Sequence, residues 1–321
     1  MVLPLSIGWR LRALRRPNRA ARFRAWRRGV LGRLSHKLGD TPVVGLIEHF
    51  GDIVACEPIA RHLKQKHGRV AWAVRPVYRE LIDANPNIDT TLECETLSEW
   101  MTLRGGFENV IDLHINRRWC DPTGNEFHKD DHGSGIDRTN YYAHGNLLEI
   151  ACKSAGLPAL TEGPKVYPTE ADVAAIDALG LPEKFIAVHA KSNQDKRDWS
   201  ATKWTELQNQ FDLPLIEVGL ASVLGGEAGR LCGKLSLLQT AELIRRASLF
   251  IGIDSGPAHL ANAAGTPGVI LLGHYNHYLT YLPYSGEYAD GSNATVIHHN
   301  GPPTEIAVDS VVEAAKGWLH D

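Results

Sequence analysis

The sequence predicts an α/β protein with two domains, each built on a parallel sheet, that face a central cleft. Its 321 residues are enough for two domains with their own apolar cores. Short apolar runs alternate with helical patterns through both halves, as in right-handed βαβ units. Gly156-Leu157-Pro158 begins an aperiodic segment that separates the halves. We therefore expect a basic arm at 1–37 and Rossmann-like domains at 38–163 and 164–321.

The first half opens with an apolar strand at 43–47. The tight segment His49-Phe50-Gly51-Asp52 follows it, and a helical pattern then continues to His67. Further strands are predicted at 70–74, 91–94 and 110–115, and helices at 78–84 and 140–155. Residues 116–135 lose all periodicity, which indicates a long loop that is either a functional lid or disordered.

The second half repeats the alternation. Strands are predicted at 185–188, 215–218, 249–253 and 269–272. Helices are predicted at 202–209, 237–247, 257–264 and about 304–319. The last helix is compatible with packing on either domain.

The arm at 1–37 has a charge pattern unlike the rest of the chain. It holds eleven Lys and Arg residues and no Asp or Glu, whereas the remainder holds the other 23 basic residues against all 37 acidic ones. Phe23, Trp26, Val30 and Leu34 recur at helical spacing among the arginines, as in a basic amphipathic helix. Such a helix binds an anionic membrane surface, or it packs on the acidic body or on a second subunit. The sequence leaves both open.

Composition argues against several classes of protein. An acidic body lacks the clustered cations of a nucleic-acid-binding groove. Five scattered cysteines without a C-x-x-C pair indicate reduced thiols. No uninterrupted apolar run reaches the roughly 18 residues that a membrane-spanning helix needs. We therefore expect a cytoplasmic protein, with a peripheral position on the inner membrane as the alternative.

The aperiodic loop offers one candidate metal cluster. Cys120, His128 and His132 lie in it, but a structural zinc site needs a fourth ligand and the sequence has no second cysteine pair. We expect ordinary loop histidines, no metal site and no cofactor.

The stretch DSGPAH, residues 254–259, predicts a ligand site. It follows a predicted strand directly, with Ser255 as the expected N-cap and Pro257 in the first helical turn. Ligands of parallel sheets lie beyond the carboxyl ends of strands, where the amides of the next helix attract anions. Gly256 has no Cβ, so a phosphate group can approach the backbone there, with Asp254 and His259 facing the same region. A capped helix without a ligand is the alternative.

Cations follow the end of a second predicted strand. Lys191, Ser192, Lys196 and Arg197 lie in the stretch HAKSNQDKRDW, directly after the strand at 185–188. Helix amides at one strand end and cations at another can clamp a diphosphate from two sides. Ordinary solvated surface cations are the alternative.

Three segments together resemble a known family. The run GKLSLLQTAELIRRASLFIGIDSGPAHLANAAGTPGVILLG, residues 233–273, resembles the signature of the heptosyltransferase-type glycosyltransferases, family 9 of the glycosyltransferases. KSNQDKRDWSATKWTEL is similar to the donor-phosphate lysine segment of that family, and FGDIVACEPIARHLKQKHG, residues 50–68, to its Gly-Asp turn and following helix. The resemblance implies a GT-B fold in which the first domain binds the acceptor and the second binds a nucleotide-sugar donor. It also implies metal-independent transfer that inverts the anomeric centre.

The resemblance assigns roles to particular residues. It implies that Asp52 is the carboxylate that activates the acceptor, with a capping role for a helix starting at Ile53 as the alternative. It implies that Lys196 contacts the donor diphosphate, but an extra Asp198 makes Arg197 an equal candidate.

The DSGPAH motif receives its roles in the same way. Asp254 resembles a donor-sugar contact, Ser255 and Gly256 the phosphate-binding turn, and His259 the motif histidine. The acidic residue that holds the nucleoside ribose in the family has no clear equivalent in VGLASVLGGEAG, where Glu227 is the nearest candidate.

The sequence therefore predicts an inverting, metal-independent glycosyltransferase. The resemblance favours heptose from ADP-heptose as the transferred sugar, and a bacterial saccharide or glycolipid as the acceptor. Two alternatives stay open: a nucleotide-sugar 2-epimerase or hydrolase on the same double fold, and a non-catalytic nucleotide-sugar-binding module.

Overall fold

The computed structural model describes residues 36–120, 125–274 and 281–319. Its contacts divide the chain into two compact units. The described part of the first unit comprises residues 36–49, 59–120, 125–141 and 150–159, and that of the second comprises 50–58, 142–149, 160–274 and 281–319. Both are α/β units with parallel sheets, which confirms the predicted fold class. The boundary at residue 163 and the central cleft stay predictions, and the arm, apart from residues 36 and 37, lies outside the described residues.

The strands, in chain order, are β1 (Val43–Gly45), β2 (Ala71–Val74), β3 (Thr90–Glu93), β4 (Val110–Asp112), β5 (Trp119–Cys120), β6 (Asn125–Glu126), β7 (Ile186–His189), β8 (Leu215–Glu217), β9 (Leu249–Ile253), β10 (Gly268–Gly273) and β11 (Ala294–His299). The α-helices are α1 (Phe50–Ala55), α2 (Glu57–His67), α3 (Arg79–Asp83), α4 (Leu97–Leu103), α5 (Leu147–Ser154), α6 (Glu170–Asp177), α7 (Ala201–Gln208), α8 (Leu237–Arg246), α9 (Gly256–Ala264), α10 (Glu287–Asp290) and α11 (Val308–Trp318).

The sheet of the first unit has the strand order β3-β2-β1-β4, with every pairing parallel. All residues of β1 and β2 are buried, because a parallel strand covered on both faces needs a continuous apolar run. At the carboxyl end of β4, the buried His114 ring lies beside Asp112, with Nδ1 2.8 Å from its Oδ1, and accepts the Ile47 amide at Nε2, 3.1 Å away. This contact fixes the start of the loop that continues into α1.

The loop at 116–135 is anchored to the first unit in its described residues. The Lys129 ammonium donates to the carbonyls of Asp112 and Ser154, and burial lowers the pKa of Lys129 to about 8. The Asn116 side chain pairs with both backbone groups of Lys129, and β5 pairs antiparallel with β6. The described residues of this segment are therefore bonded to the body of the first unit, and a role for the loop as a functional lid stays a prediction.

The sheet of the second unit has the order β11-β10-β9-β7-β8, again parallel throughout. Every residue of β9 is buried, and its carboxyl end leads directly into the DSGPAH stretch. The last helix, α11, packs on β9, β10 and α7 of this unit, with Val311 and Ala315 fully buried in the core.

Helices are the elements whose prediction needs most correction. The helix expected at 140–155 begins only at Leu147, because Gly145 has a φ of 106° and the Asn146 side chain accepts the amide of Glu149 at 3.0 Å. Helix α6 was not predicted, although Thr169 and Asp172 form a capping box there. None of the helices within the described residues is long and apolar enough to cross a membrane.

Candidate active site

The Asp254 carboxylate is held by contacts on both of its oxygens. It is buried at the turn between β9 and α9, and the hydroxyl of Tyr284 donates to its Oδ1 at 2.8 Å. The Arg197 guanidinium lies 3.8 Å from Oδ2 and donates to the Asp254 carbonyl at 3.3 Å. The turn thus carries a carboxylate held between a phenol and a cation.

His259 is buried in the first turns of α9 beside the same carboxylate. Its ring centroid lies 4.8 Å from that of Tyr284, and its Nδ1 has no hydrogen-bond partner among the described residues. Burial lowers the pKa of His259, against the opposing charges of Asp254 and Asp52. The imidazole is therefore neutral near pH 7.

Helices α1 and α9 touch through two glycines. A Cβ on Gly256 would lie 2.0 Å from Cζ of Phe50, and a Cβ on Gly51 would lie 2.9 Å from Cδ2 of His259. The first turns of the two helices can approach only because both positions lack a side chain. The sequence predicts that the missing Cβ of Gly256 leaves room for a phosphate, but in the structure the Phe50 ring fills that position, so only the backbone amide of Gly256 remains as a candidate phosphate contact.

We expect Gly256→Ala to disturb this contact. The new methyl group must displace the Phe50 ring, which should destabilise the second unit by about 1–3 kcal/mol, the usual range for overpacking. Gly317→Ala is the matched control, since it lies in helix α11 of the same unit with nothing within 4 Å of a Cβ. Urea unfolding of both variants measures the difference, and equal stabilities would contradict the packing argument.

The structure decides the helix position of Asp52. Helix α1 begins at Phe50, so Asp52 lies in its first turn and not at the N-cap of a helix that starts at Ile53. The capping alternative is therefore wrong. Asp52 is half-buried and follows Gly51, which packs on the His259 ring, so Asp52 lies in the same unit as the DSGPAH motif and one residue from a contact with it.

Ser255 occupies the N-cap position of α9, but its side chain does not cap the helix. Its hydroxyl donates to the Ile253 carbonyl at 3.0 Å and lies 2.8 Å from Nδ1 of His189. The Ser255 hydroxyl therefore joins the turn to the His189 ring at the end of β7. The prediction that the Ser255 side chain caps the helix is therefore wrong. The side chain instead contacts His189, the last residue of β7.

His189 makes stability depend on pH. Burial lowers its pKa from 6.5 to about 4, so between these values the unfolded chain takes up a proton that the folded chain does not. Stability is fully present above the unfolded pKa and falls as the pH drops toward 4, by up to about 3 kcal/mol. We expect His189→Asn to reduce the loss of thermal stability between about pH 7 and pH 5. An unchanged pH dependence in the variant would contradict this assignment.

Lys191 and Ser192 belong to a local cluster around Asp198. The Lys191 ammonium lies 2.5 Å from carboxylate oxygens of both Asp195 and Asp198. Ser192 donates its amide, at 2.8 Å, to Asp198 Oδ1, and its hydroxyl lies 2.7 Å from the same atom. Asp198, the extra aspartate by which this chain differs from the family pattern, therefore forms an ion pair with Lys191, the first predicted cation.

The two adjacent cations, Lys196 and Arg197, have different surroundings. Lys196 is exposed and makes no ion pair within the described part of the chain. Arg197 is partly buried, contacts Asp254, and donates to Asn193 Oδ1 at 3.1 Å. Of the two candidates, the structure brings only Arg197 to the DSGPAH turn.

The acidic residues of the following segment also differ from expectation. Glu227 is 87% exposed and pairs with Arg230 at 2.5 Å. Glu217, at the end of β8, is fully buried and accepts the amides of Val223 and Leu224 at 2.8 and 3.0 Å. Across the described residues, no three His, Cys, Asp or Glu side chains are grouped to hold a metal ion.

Sequence reasoning missed three residues of the site. Tyr284, His189 and Phe50 contact Asp254, Ser255 and Gly256 respectively. A signal existed for His189, because it ends a buried strand beside the strand that leads to the motif. Tyr284 lies in a stretch without periodicity and carries no such signal.

Comparisons with known proteins bear on the family and the fold of the chain. Residues 149–300 match the family described as Glycosyltransferase family 9 (heptosyltransferase). Lipopolysaccharide heptosyltransferase 3 of Escherichia coli is 27% identical over 126 residues, which cover 34% of this chain and 37% of that protein. The matched region is thus little more than a third of this curated relative.

Solved structures share the fold over most of the chain. A glycosyltransferase family 9 protein of Veillonella parvula superposes with a TM-score of 0.67 at 18% identity, over 88% of this chain and 97% of its own. The E. coli ADP-heptose lps heptosyltransferase II gives a TM-score of 0.63 at 16% identity, over 87% and 98%. At these identities the likeness concerns the fold.

Proposed function

Because residues 149–300 belong to glycosyltransferase family 9 (heptosyltransferase), we propose that the chain transfers a sugar from a nucleoside-diphosphate donor to a saccharide or glycolipid acceptor. The transfer inverts the anomeric centre and needs no metal. One observation carries the proposal. The contact between α1 and α9 brings the Asp52 carboxylate near the DSGPAH turn within the second unit.

The proposed reaction is a single in-line displacement. The acceptor hydroxyl gives its proton to the Asp52 carboxylate while its oxygen attacks the anomeric carbon. The bond between that carbon and the diphosphate oxygen breaks on the opposite face, and the electron pair leaves with the nucleoside diphosphate. A general base of this kind contributes on the order of 10²–10⁴ in rate.

The leaving diphosphate needs positive groups at the turn. Pro257 has no amide proton and the Ala258 amide donates to the Ser255 carbonyl at 3.1 Å, so Gly256 supplies the first-turn amide. Arg197 supplies the cation that is already beside this turn. Lys191, Ser192 and Lys196 stay candidate donor contacts, but the pairing of Lys191 with Asp195 and Asp198 and the exposure of Lys196 make Arg197 the cation that we assign to the diphosphate.

Asp254 and His259 face the sugar in this proposal. The carboxylate accepts a hydrogen bond from a sugar hydroxyl, and the neutral His259 ring closes the wall beside Tyr284. ADP-heptose is the proposed donor, supported by the E. coli relative in fold that is named for it. The acceptor is a lipopolysaccharide-type saccharide or glycolipid, supported by the name of the curated relative. The proposed location is the cytoplasm, with residues 1–37 at the anionic inner-membrane surface.

Mass spectrometry of the acceptor tests the function. Purified protein is incubated with ADP-heptose and a glycolipid extract from cells that lack heptosyltransferases, with GDP- and UDP-sugars as parallel donors. The proposal expects the acceptor mass to rise by one heptose with the ADP donor. An isomerised nucleotide sugar with no change in the acceptor would favour the 2-epimerase alternative. Binding of the donor without any product would favour the non-catalytic module.

A further inference from the structure

Tyr284 is placed to act on the site through Asp254. It is fully buried, and its contacts Asp254, His259 and Tyr288 belong with it to the second unit. The hydroxyl donates to Asp254 Oδ1 at 2.8 Å, while the ring packs against His259 at 4.8 Å and Tyr288 at 5.7 Å between centroids. The phenol has a single proton, and it donates that proton in a hydrogen bond to the carboxylate.

This hydrogen bond makes the two oxygens of the carboxylate unequal. Oδ1 is engaged by Tyr284 in the buried interior, whereas Oδ2 lies on the Arg197 side, 3.8 Å from the guanidinium. An aspartate side chain without the phenol could rotate about χ2, which is a broad, roughly two-fold torsion. The phenol removes that freedom, so one defined oxygen is left toward the cation and the turn.

Tyr284 remains a donor over the whole pH range of an assay. Burial raises the pKa of its hydroxyl well above the ordinary value, and the nearby Asp254 charge raises it further. Packing between two aromatic rings fixes the direction of the hydroxyl. The contact is therefore a permanent part of the folded site.

We propose that Tyr284 is a positioning residue that aims Asp254 Oδ2 at a hydroxyl of the donor sugar, so that it sets affinity for the sugar but not for the nucleotide. The proposal rests on the function proposed above. This role differs from a purely structural one. If the hydroxyl only supported the fold, its removal would weaken the binding of ADP and of ADP-heptose equally, or would affect neither.

Tyr284→Phe tests the proposal, with Tyr288→Phe as the matched control. Each variant keeps its buried ring and loses one hydroxyl, which in Tyr288 donates to the Thr266 carbonyl at 2.7 Å. Calorimetry measures the binding of ADP and of ADP-heptose to both variants. We expect Tyr284→Phe to bind ADP as the wild type does and to bind ADP-heptose about tenfold more weakly, the usual effect of one hydrogen bond to a charged group. Tyr288→Phe should bind both ligands normally.

A double-mutant cycle isolates the path through Asp254. If Tyr284 acts by positioning the carboxylate, adding Tyr284→Phe to Asp254→Asn should cost no further affinity for ADP-heptose. Equal losses of ADP and ADP-heptose binding in Tyr284→Phe, or additive losses in the cycle, would overturn the proposal while leaving sugar transfer by the wild type intact. A wild type that binds neither ligand and transfers no sugar would instead refute the proposed function, and this inference with it.

Discussion

Asp52→Asn is expected to lower kcat by about 10²–10⁴ while leaving donor binding unchanged. The amide keeps the size of the side chain and its place in the first turn of α1, but it cannot accept the proton of an acceptor hydroxyl. Because the nucleotide and the sugar are assigned to other groups, the affinity for ADP-heptose should stay at the wild-type value. Initial rates at saturating donor, together with calorimetric binding of ADP-heptose, measure the two quantities separately.

Asp309→Asn is the control for this prediction. Asp309 is exposed in the first turn of α11, so the variant also removes one negative charge from the start of a helix in the second unit. It should retain full activity. A similar loss of rate in both variants, or an Asp52→Asn enzyme that turns over normally, would remove Asp52 from the role of base.

Arg197→Gln is expected to lower kcat/KM by on the order of 10²–10³, the effect of removing one preorganised group that stabilises developing charge. The guanidinium is already held beside the DSGPAH turn by the Asp254 carbonyl and Asn193. Its charge therefore needs no reorganisation when the diphosphate leaves. Glutamine keeps a hydrogen-bonding side chain but has no charge.

Lys196→Gln separates the two candidate cations. Lys196 is exposed and adjacent in sequence, so the same substitution there should change kcat/KM by less than about threefold, as expected for a solvated surface charge. Rates over a range of ADP-heptose concentrations give both values. If Lys196→Gln were the more damaging change, the diphosphate would be bound by the exposed lysine, and our assignment of the cation would be wrong.

The sequence is a good guide to the parallel sheets, and the reason is physical. Strands such as β9 are buried on both faces, so their apolar runs stand out from the polar turns that bound them. Short helices are harder to predict. Helix α4 has only seven residues, too few for a clear helical periodicity, although Thr96 and Glu99 have the spacing of an N-cap pair.

Part of the candidate site could be predicted from the sequence, because its residues follow directly after a buried strand. Asp254 and His259 were found because a polar turn after a buried strand marks the ligand-binding edge of a parallel sheet. The long-range partners could not be found. Neither the Tyr284 hydroxyl on Asp254, thirty positions away, nor the Phe50 ring on Gly256 leaves a local pattern.

Ion pairs explain why the predicted cations of the site have different surroundings in the structure. Lys191 and Lys196 look equivalent in the sequence, but Lys191 lies between two carboxylates and Lys196 is exposed. Which cation keeps its charge available for a ligand depends on side-chain directions in a short polar turn. Composition and spacing contain no information about those directions.

The release of ADP from ADP-heptose, followed with and without a glycolipid acceptor, distinguishes sugar transfer from hydrolysis of the donor. We expect release to depend on the acceptor and to fall together with sugar transfer by about 10²–10⁴ in Asp52→Asn. Release at the same rate without an acceptor, or release that is unaffected by Asp52→Asn, would contradict this expectation.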